Sequence, residues 1–128
     1  MIFRRAKKRN ASIKLHLAAY NHASKLIMEK NVERDERHDW SNHQPAENDK
    51  NQYIQEHGYK EYGKWFLGID ESKNETTKSR YKFPYGDFKK VHRCAVISAE
   101  IRVKQHKYDD IEQAAAHLHN MIDMELKK

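Results

Sequence analysis

The chain has 128 residues, 38% hydrophobic and 34% charged, with a net charge of +6. That length sets one small domain with a limited core, and no apolar run approaches the roughly 20 residues needed to cross a bilayer. A single cysteine, Cys94, allows no internal disulfide and suits a reducing cytoplasm, and the N-terminus lacks the apolar stretch of a secretory signal.

The charge is uneven. Residues 1–14 hold Arg4, Arg5, Lys7, Lys8, Arg9 and Lys14 without an acid, so the rest of the chain is formally neutral. Residues 1–10 read as a disordered basic arm ahead of a single α+β domain at 11–128. From Ala11 to Lys30 the spacing of Ile13, Leu17, Tyr20, Ala23 and Ile27 predicts an amphipathic helix. Residues 31–49 are highly charged and read as loop or frayed helix anchored by Trp40. Pro45, Ala46, Glu47 and Asp49 signal a second helix that Gly58 stops near His57.

Lys64–Asp70 is a strand candidate with Trp65, Leu67 and Ile69 on one face and Phe66 on the other. The polar stretch 71–79 leads to a second strand, where Tyr81, Phe83 and Tyr85 alternate with Lys82 and Pro84. Proline places this strand at an edge. The two strands are expected to form a two-stranded antiparallel hairpin, which is too small to be stable unless it lies on helices. Gly86 supplies a turn and Asp87 an N-cap, after which Phe88, Val91, Cys94, Ala95, Ser98 and Ile101 fall on one helical face. A break at 105–108 precedes Asp109 and Glu112, a capping-box spacing, and a last helix carrying Ile111, Ala114, Ala115, Leu118 and Ile122. The short break predicts a C-terminal antiparallel helical hairpin.

Basic residues interleave with aromatics over 78–93. Arg80, Lys82, Lys89, Lys90 and Arg93, together with Arg4, Arg5, Lys7, Lys8 and Arg9 of the arm, are the candidate contacts to nucleic-acid phosphates. The competing reading makes Tyr81, Phe83 and Tyr85 the core face of a strand and the lysines its solvated back. The nine histidines show no metal-ligand motif: His38 and His43 lie across a loop, and His117 and His119 point to opposite sides of a helix. His92 and Cys94, two apart on the expected helix, diverge in the same way, and Cys94 reads as a buried core thiol. The acids Glu33, Asp35, Glu36 and Asp39 look like a surface salt-bridged with Arg34 and Arg37. No catalytic residue, metal site or cofactor is expected.

The segments RDERHDWSNHQP (34–45), EYGKWFLGID (61–70), RYKFPYGDFKKVHRCAVISAEIR (80–102) and DIEQAAAHLHNMID (110–123) resemble a family of small uncharacterised bacterial proteins. The resemblance spans about 15–123, leaves the basic arm outside and implies no activity. The 80–122 portion is also similar in outline to short modules of phage-derived proteins. The leading expectation is a cytoplasmic, non-catalytic binding module for nucleic acid, with no membrane partner. The alternatives are a protein-interaction or assembly module, dimeric or with another protein, and a metal-dependent enzyme built on histidines and acids.

Overall fold

The computed structural model describes residues 12–126. The basic arm, with Arg4, Arg5, Lys7, Lys8 and Arg9, lies outside the described residues. The fold is a mixture of helix and strand built on an antiparallel sheet.

That sheet has three strands rather than the two of the expected hairpin: β1 (Ile13–Leu15), then β3 (Phe66–Asp70) in the centre, then β4 (Tyr81–Pro84). The β3–β4 pairing aligns Phe66 with Pro84 and Gly68 with Lys82, with Pro84 at the end of an edge strand. The additional strand comes from the head of the expected first helix. Ile13 pairs with Asp70 and Leu15 with Gly68, so α1 begins only at Leu17 and runs to Met28. Helical spacing around Ile13 lost to edge pairing with a strand more than fifty residues away, a competitor that local periodicity does not register.

β3 is covered on both faces. Trp65, Phe66 and Leu67 are all buried, while Ile69 is only half-buried, so the expected alternation fails at its outer end. Gly68 has no room for a side chain: a β-carbon there would meet the Phe83 ring at 2.9 Å and Ile111 at 3.1 Å. Its absence lets the C-terminal helix that carries Ile111 lie close on the sheet.

Between the strands, β2 (Val32–Glu33) precedes the single-turn helix α2 (Trp40–His43), and α3 spans Glu47–Gly63. Asp49 accepts the Ala46 amide at 3.1 Å, which starts α3 one residue after Ala46 rather than at Pro45. Gly58, at φ +85°, interrupts the helix where expected, and a second short helical stretch follows it.

The largest correction lies at residues 87–94. Helix does not start at Phe88, and Asp87 caps no helix. Asp87 instead accepts the Lys89 and Lys90 amides at 3.0 and 2.9 Å, making a tight turn in which Phe88 takes φ +71°. Val91–His92 then forms β5, parallel to β2, and α4 covers Arg93–Gln105. The buried face of α4 shifts accordingly to Cys94, Ala95, Val96, Ile97, Ala99 and Val103, with Ser98 and Ile101 half-buried.

α5 (Asp109–Leu126) follows after three residues. Arg93 bonds Asp123 at 2.8 Å and Glu100 bonds His119 at 2.9 Å, so partner numbers fall along α5 as they rise along α4 and the two helices run antiparallel. One apolar cluster joins α1 (Ala19, Ala23, Ile27), the sheet (Leu67, Phe83), α4 (Val96, Val103) and α5 (Ile111, Leu118, Ile122). Among the described residues, no helix is long and apolar enough to cross a membrane.

Candidate functional site

The turn at Asp87 and the β2–β5 pairing deliver polar groups to one place. Asp35, just past β2, is buried to 8% exposure and lies under the first turn of α4. Its Oδ1 accepts the Cys94 backbone amide at 2.8 Å. Helix α4 has no cap from its own N-cap residue His92, so Asp35 supplies that role from a segment 59 residues away. Its Oδ2 accepts Nδ1–H bonds from His92 at 2.6 Å and from His43 at 2.7 Å. The Cys94 sulfur lies within 4.8 Å of the same carboxylate.

His92 is 5% exposed and its other ring nitrogen, Nε2, donates to Asp87 Oδ2 at 2.8 Å. Carboxylates on both ring nitrogens suit an imidazolium. Burial opposes that charge, but Asp87 and Asp35 outweigh it and raise the His92 pKa. Burial likewise works against ionisation of both acids. Donors overcome it, Cys94 and the two histidines at Asp35 and His92 with the Lys90 and Lys89 amides at Asp87, so each carboxyl falls to about 2. The Cys94 thiol, buried beside Asp35, is pushed far above its usual range and is no nucleophile in this state.

Asp35, His43, His92 and Cys94 each present one donor atom, and the four atoms lie within 4.8 Å of one another. His43 is exposed and the other three are buried. The Trp40 ring packs 5.6 Å from His92 and covers it from α2. Outside, His43 and Asp87 open onto a cleft of about 530 Å³ that also carries Asp49, His57, Phe88 and Lys89.

The sequence pattern did not assemble this cluster. On a helix His92 and Cys94 would diverge. Here His92 is the last strand residue and Cys94 lies in the first helical turn, so both turn toward Asp35. The local hint in the sequence was Asp87, a residue that favours turns by accepting amides two and three positions on.

The cationic residues predicted between 80 and 93 have different neighbours. Arg80 donates to the Lys73 carbonyl at 2.9 Å and lines a groove with His16 and Lys60. Lys89 lies on the cleft beside the cluster. Lys90 is paired with Glu33 at 3.0 Å, and Arg93 with Asp123 at 2.8 Å. Lys82 faces a third groove, of about 590 Å³, together with Lys50, Lys78, Arg102 and His106. Glu47 is the acid on that groove, and it pairs with both Lys78 and Lys50. Phe83, Tyr108, Tyr62 and Phe66 form its floor and are buried, and Arg102 lies 5.5 Å over the Phe83 ring.

No protein-family model, curated protein or solved structure matches the chain. Any functional reading therefore rests on the geometry alone.

Proposed function

We propose that the protein is a non-catalytic binding module that contacts nucleic-acid phosphates along the groove between β4 and the end of α4. The observation that carries this reading is the grouping of Lys50, Lys78, Lys82, Arg102 and His106 around one groove with, among the described residues, a single carboxylate, that of Glu47. Cations so grouped release counterions when they neutralise a phosphate backbone. The aromatic floor is occupied with the core: Tyr62, Phe66, Phe83 and Tyr108 are buried, and the hydroxyl of Tyr81 at its edge donates to the Glu75 carbonyl at 2.7 Å. The contacts therefore reach the backbone rather than stack on bases, and the module reads phosphate without sequence preference.

This narrows the expected surface. Lys82 stays in it, while Lys90 and Arg93 serve ion pairs within the fold and Arg80 and Lys89 face other grooves. The basic arm adds positive charge to the chain, and the lone free Cys94 suits a cytoplasmic setting.

The test is binding of labelled single- and double-stranded DNA and RNA across a salt series. Full-length protein, an arm-deleted form and the Lys82→Gln/Arg102→Gln double variant would be compared. The reading expects the double variant to weaken binding to all sequences alike and to lower the salt slope by about 1 for each phosphate no longer neutralised. Binding that disappears with the arm and ignores the double variant overturns it.

A further inference from the structure

We propose that Asp35, His43, His92 and Cys94 form a closed, four-ligand site for one zinc-like transition-metal ion. The site is independent of the phosphate-binding groove and rests on three observations.

The first is the donor set. One carboxylate oxygen, two imidazole nitrogens and one sulfur converge within 4.8 Å. Tetrahedral zinc with ligands at its usual bond lengths keeps nitrogen and oxygen donors about 3.3 Å apart. The Asp35–His92 and Asp35–His43 separations are 2.6 and 2.7 Å, so the side chains need to open by less than about 1 Å to admit the ion. Sulfur and imidazole together favour zinc or a similar ion over magnesium or calcium, which take oxygen ligands.

The second is the surrounding support. His92 Nε2–H is held by Asp87, and Asp87 in turn is held by the Lys89 and Lys90 amides. The second oxygen of Asp35 is held by the Cys94 amide. Metal-binding imidazoles characteristically have their far nitrogen tied to a carboxylate in this way, which fixes the ring for coordination through the near one. A histidine needed only as a surface group has no use for a buried carboxylate on one ring nitrogen and a half-buried one on the other.

The third is placement. The ligands come from three stretches of chain: the segment after β2, the end of α2, and the β5–α4 junction. The Asp35–His92–Cys94 part is buried, and His43 closes it on the side of the open cleft, which gives the ion a way in. Four protein ligands leave no position for substrate, so the ion is structural and clamps α2 to the start of α4. On binding, Cys94 gives its thiol proton and His92 its Nδ1 proton to solvent; the Nδ1 proton of His43 also leaves through solvent, its ring keeping or taking a proton at Nε2, and no electrons are transferred. His92 keeps the Nε2 proton that it shares with Asp87.

The experiment uses the full, untagged, reduced chain stripped of metal by a chelator, titrated with cobalt(II) as a spectroscopic probe and with zinc against a chromophoric competitor. One equivalent of cobalt is expected, with the ligand-field bands of a tetrahedral ion and a thiolate-to-cobalt charge-transfer band. Cys94→Ser is expected to abolish the charge-transfer band. Asp87→Asn, which touches only the outer support, is expected to keep that band and weaken zinc about 10- to 100-fold. His43→Gln removes an exposed ligand and so tests the site without unfolding the core; it is expected to weaken zinc by more than about 100-fold. His117→Gln, far from the site on α5, is expected to bind as wild type. The proposal is overturned by a wild-type chain that takes up no equivalent of either metal at micromolar concentration. It is equally overturned by a charge-transfer band that survives in Cys94→Ser, or by unchanged zinc affinity in His43→Gln.

Discussion

Two regions of this molecule are held together in opposite ways. Where α5 lies on α1, α4 and β3, contact is made by Ile27, Leu67, Val96, Ile111, Leu118 and Ile122, all but fully buried and without a polar partner among them. Where the β2–α2 segment meets the β5–α4 junction, the centre is a carboxylate, Asp35, surrounded by an amide, a thiol and two imidazoles. The first region depends on area removed from water and tolerates small errors of shape. The second depends on each buried polar atom having its partner, and loses most of its stabilisation when one is taken away. A small, highly charged chain with a modest core can thus use one polar centre to order a segment that has little apolar surface of its own.

The sharpest way to break the comparison is Asp35→Ala. It leaves the Cys94 amide without its acceptor and His92 with one carboxylate, and is expected to destabilise by about 3–5 kcal/mol in urea unfolding. A change below about 1 kcal/mol would mean that the polar centre contributes little to the fold. Leu118→Ala, in the apolar region, is expected to cost about 2–5 kcal/mol. The two should differ in kind: metal addition is expected to raise the midpoint of the Leu118 variant but not that of the Asp35 variant.

Gly68→Ala should cost about 1–3 kcal/mol by forcing apart Phe83 and Ile111, measured by the same unfolding curve. At the sheet margin, Asp70 accepts from Ser12 and Ser72 and is held down to about 2. Its folded value lies below its unfolded one of about 3.9, so its contribution is present above about pH 4 and lost as pH falls toward about 2. Asp70→Asn should therefore flatten that part of a stability-versus-pH curve, and an unchanged acid limb would count against the assignment. The smallest effect is expected from Lys14→Ala, which breaks an exposed pair with Glu71 at 3.1 Å and should cost no more than about 1 kcal/mol.

Legibility followed the same division. The C-terminal helix pair, the Gly58 interruption and the β3–β4 pairing were readable because each is announced by local spacing or local turn chemistry. The strand at Ile13–Leu15 was not, since a half-buried Leu15 and buried Ile13 fit either period until a partner strand is present. His92 and Cys94 were misplaced for a related reason. Two residues of parallel pairing with Val32 and Glu33 move the start of α4 from Phe88 to Arg93, and that rotation turns two diverging side chains into converging ones. Lysines were the least legible as a group, because a charge run in sequence says nothing about which acid each head group will meet.

By itself, the sequence determined that helices would cover a small sheet, that breaks fall at Gly58 and ahead of Asp109, and that no long apolar span exists. These are properties of residues a few positions apart, set by period, capping and backbone freedom. The tertiary structure alone decided the third strand, the splitting of the basic residues among separate grooves, and the meeting of Asp35, His43, His92 and Cys94. Each depends on contacts between segments tens of residues apart, where burial and the pairing of polar groups outweigh local preference.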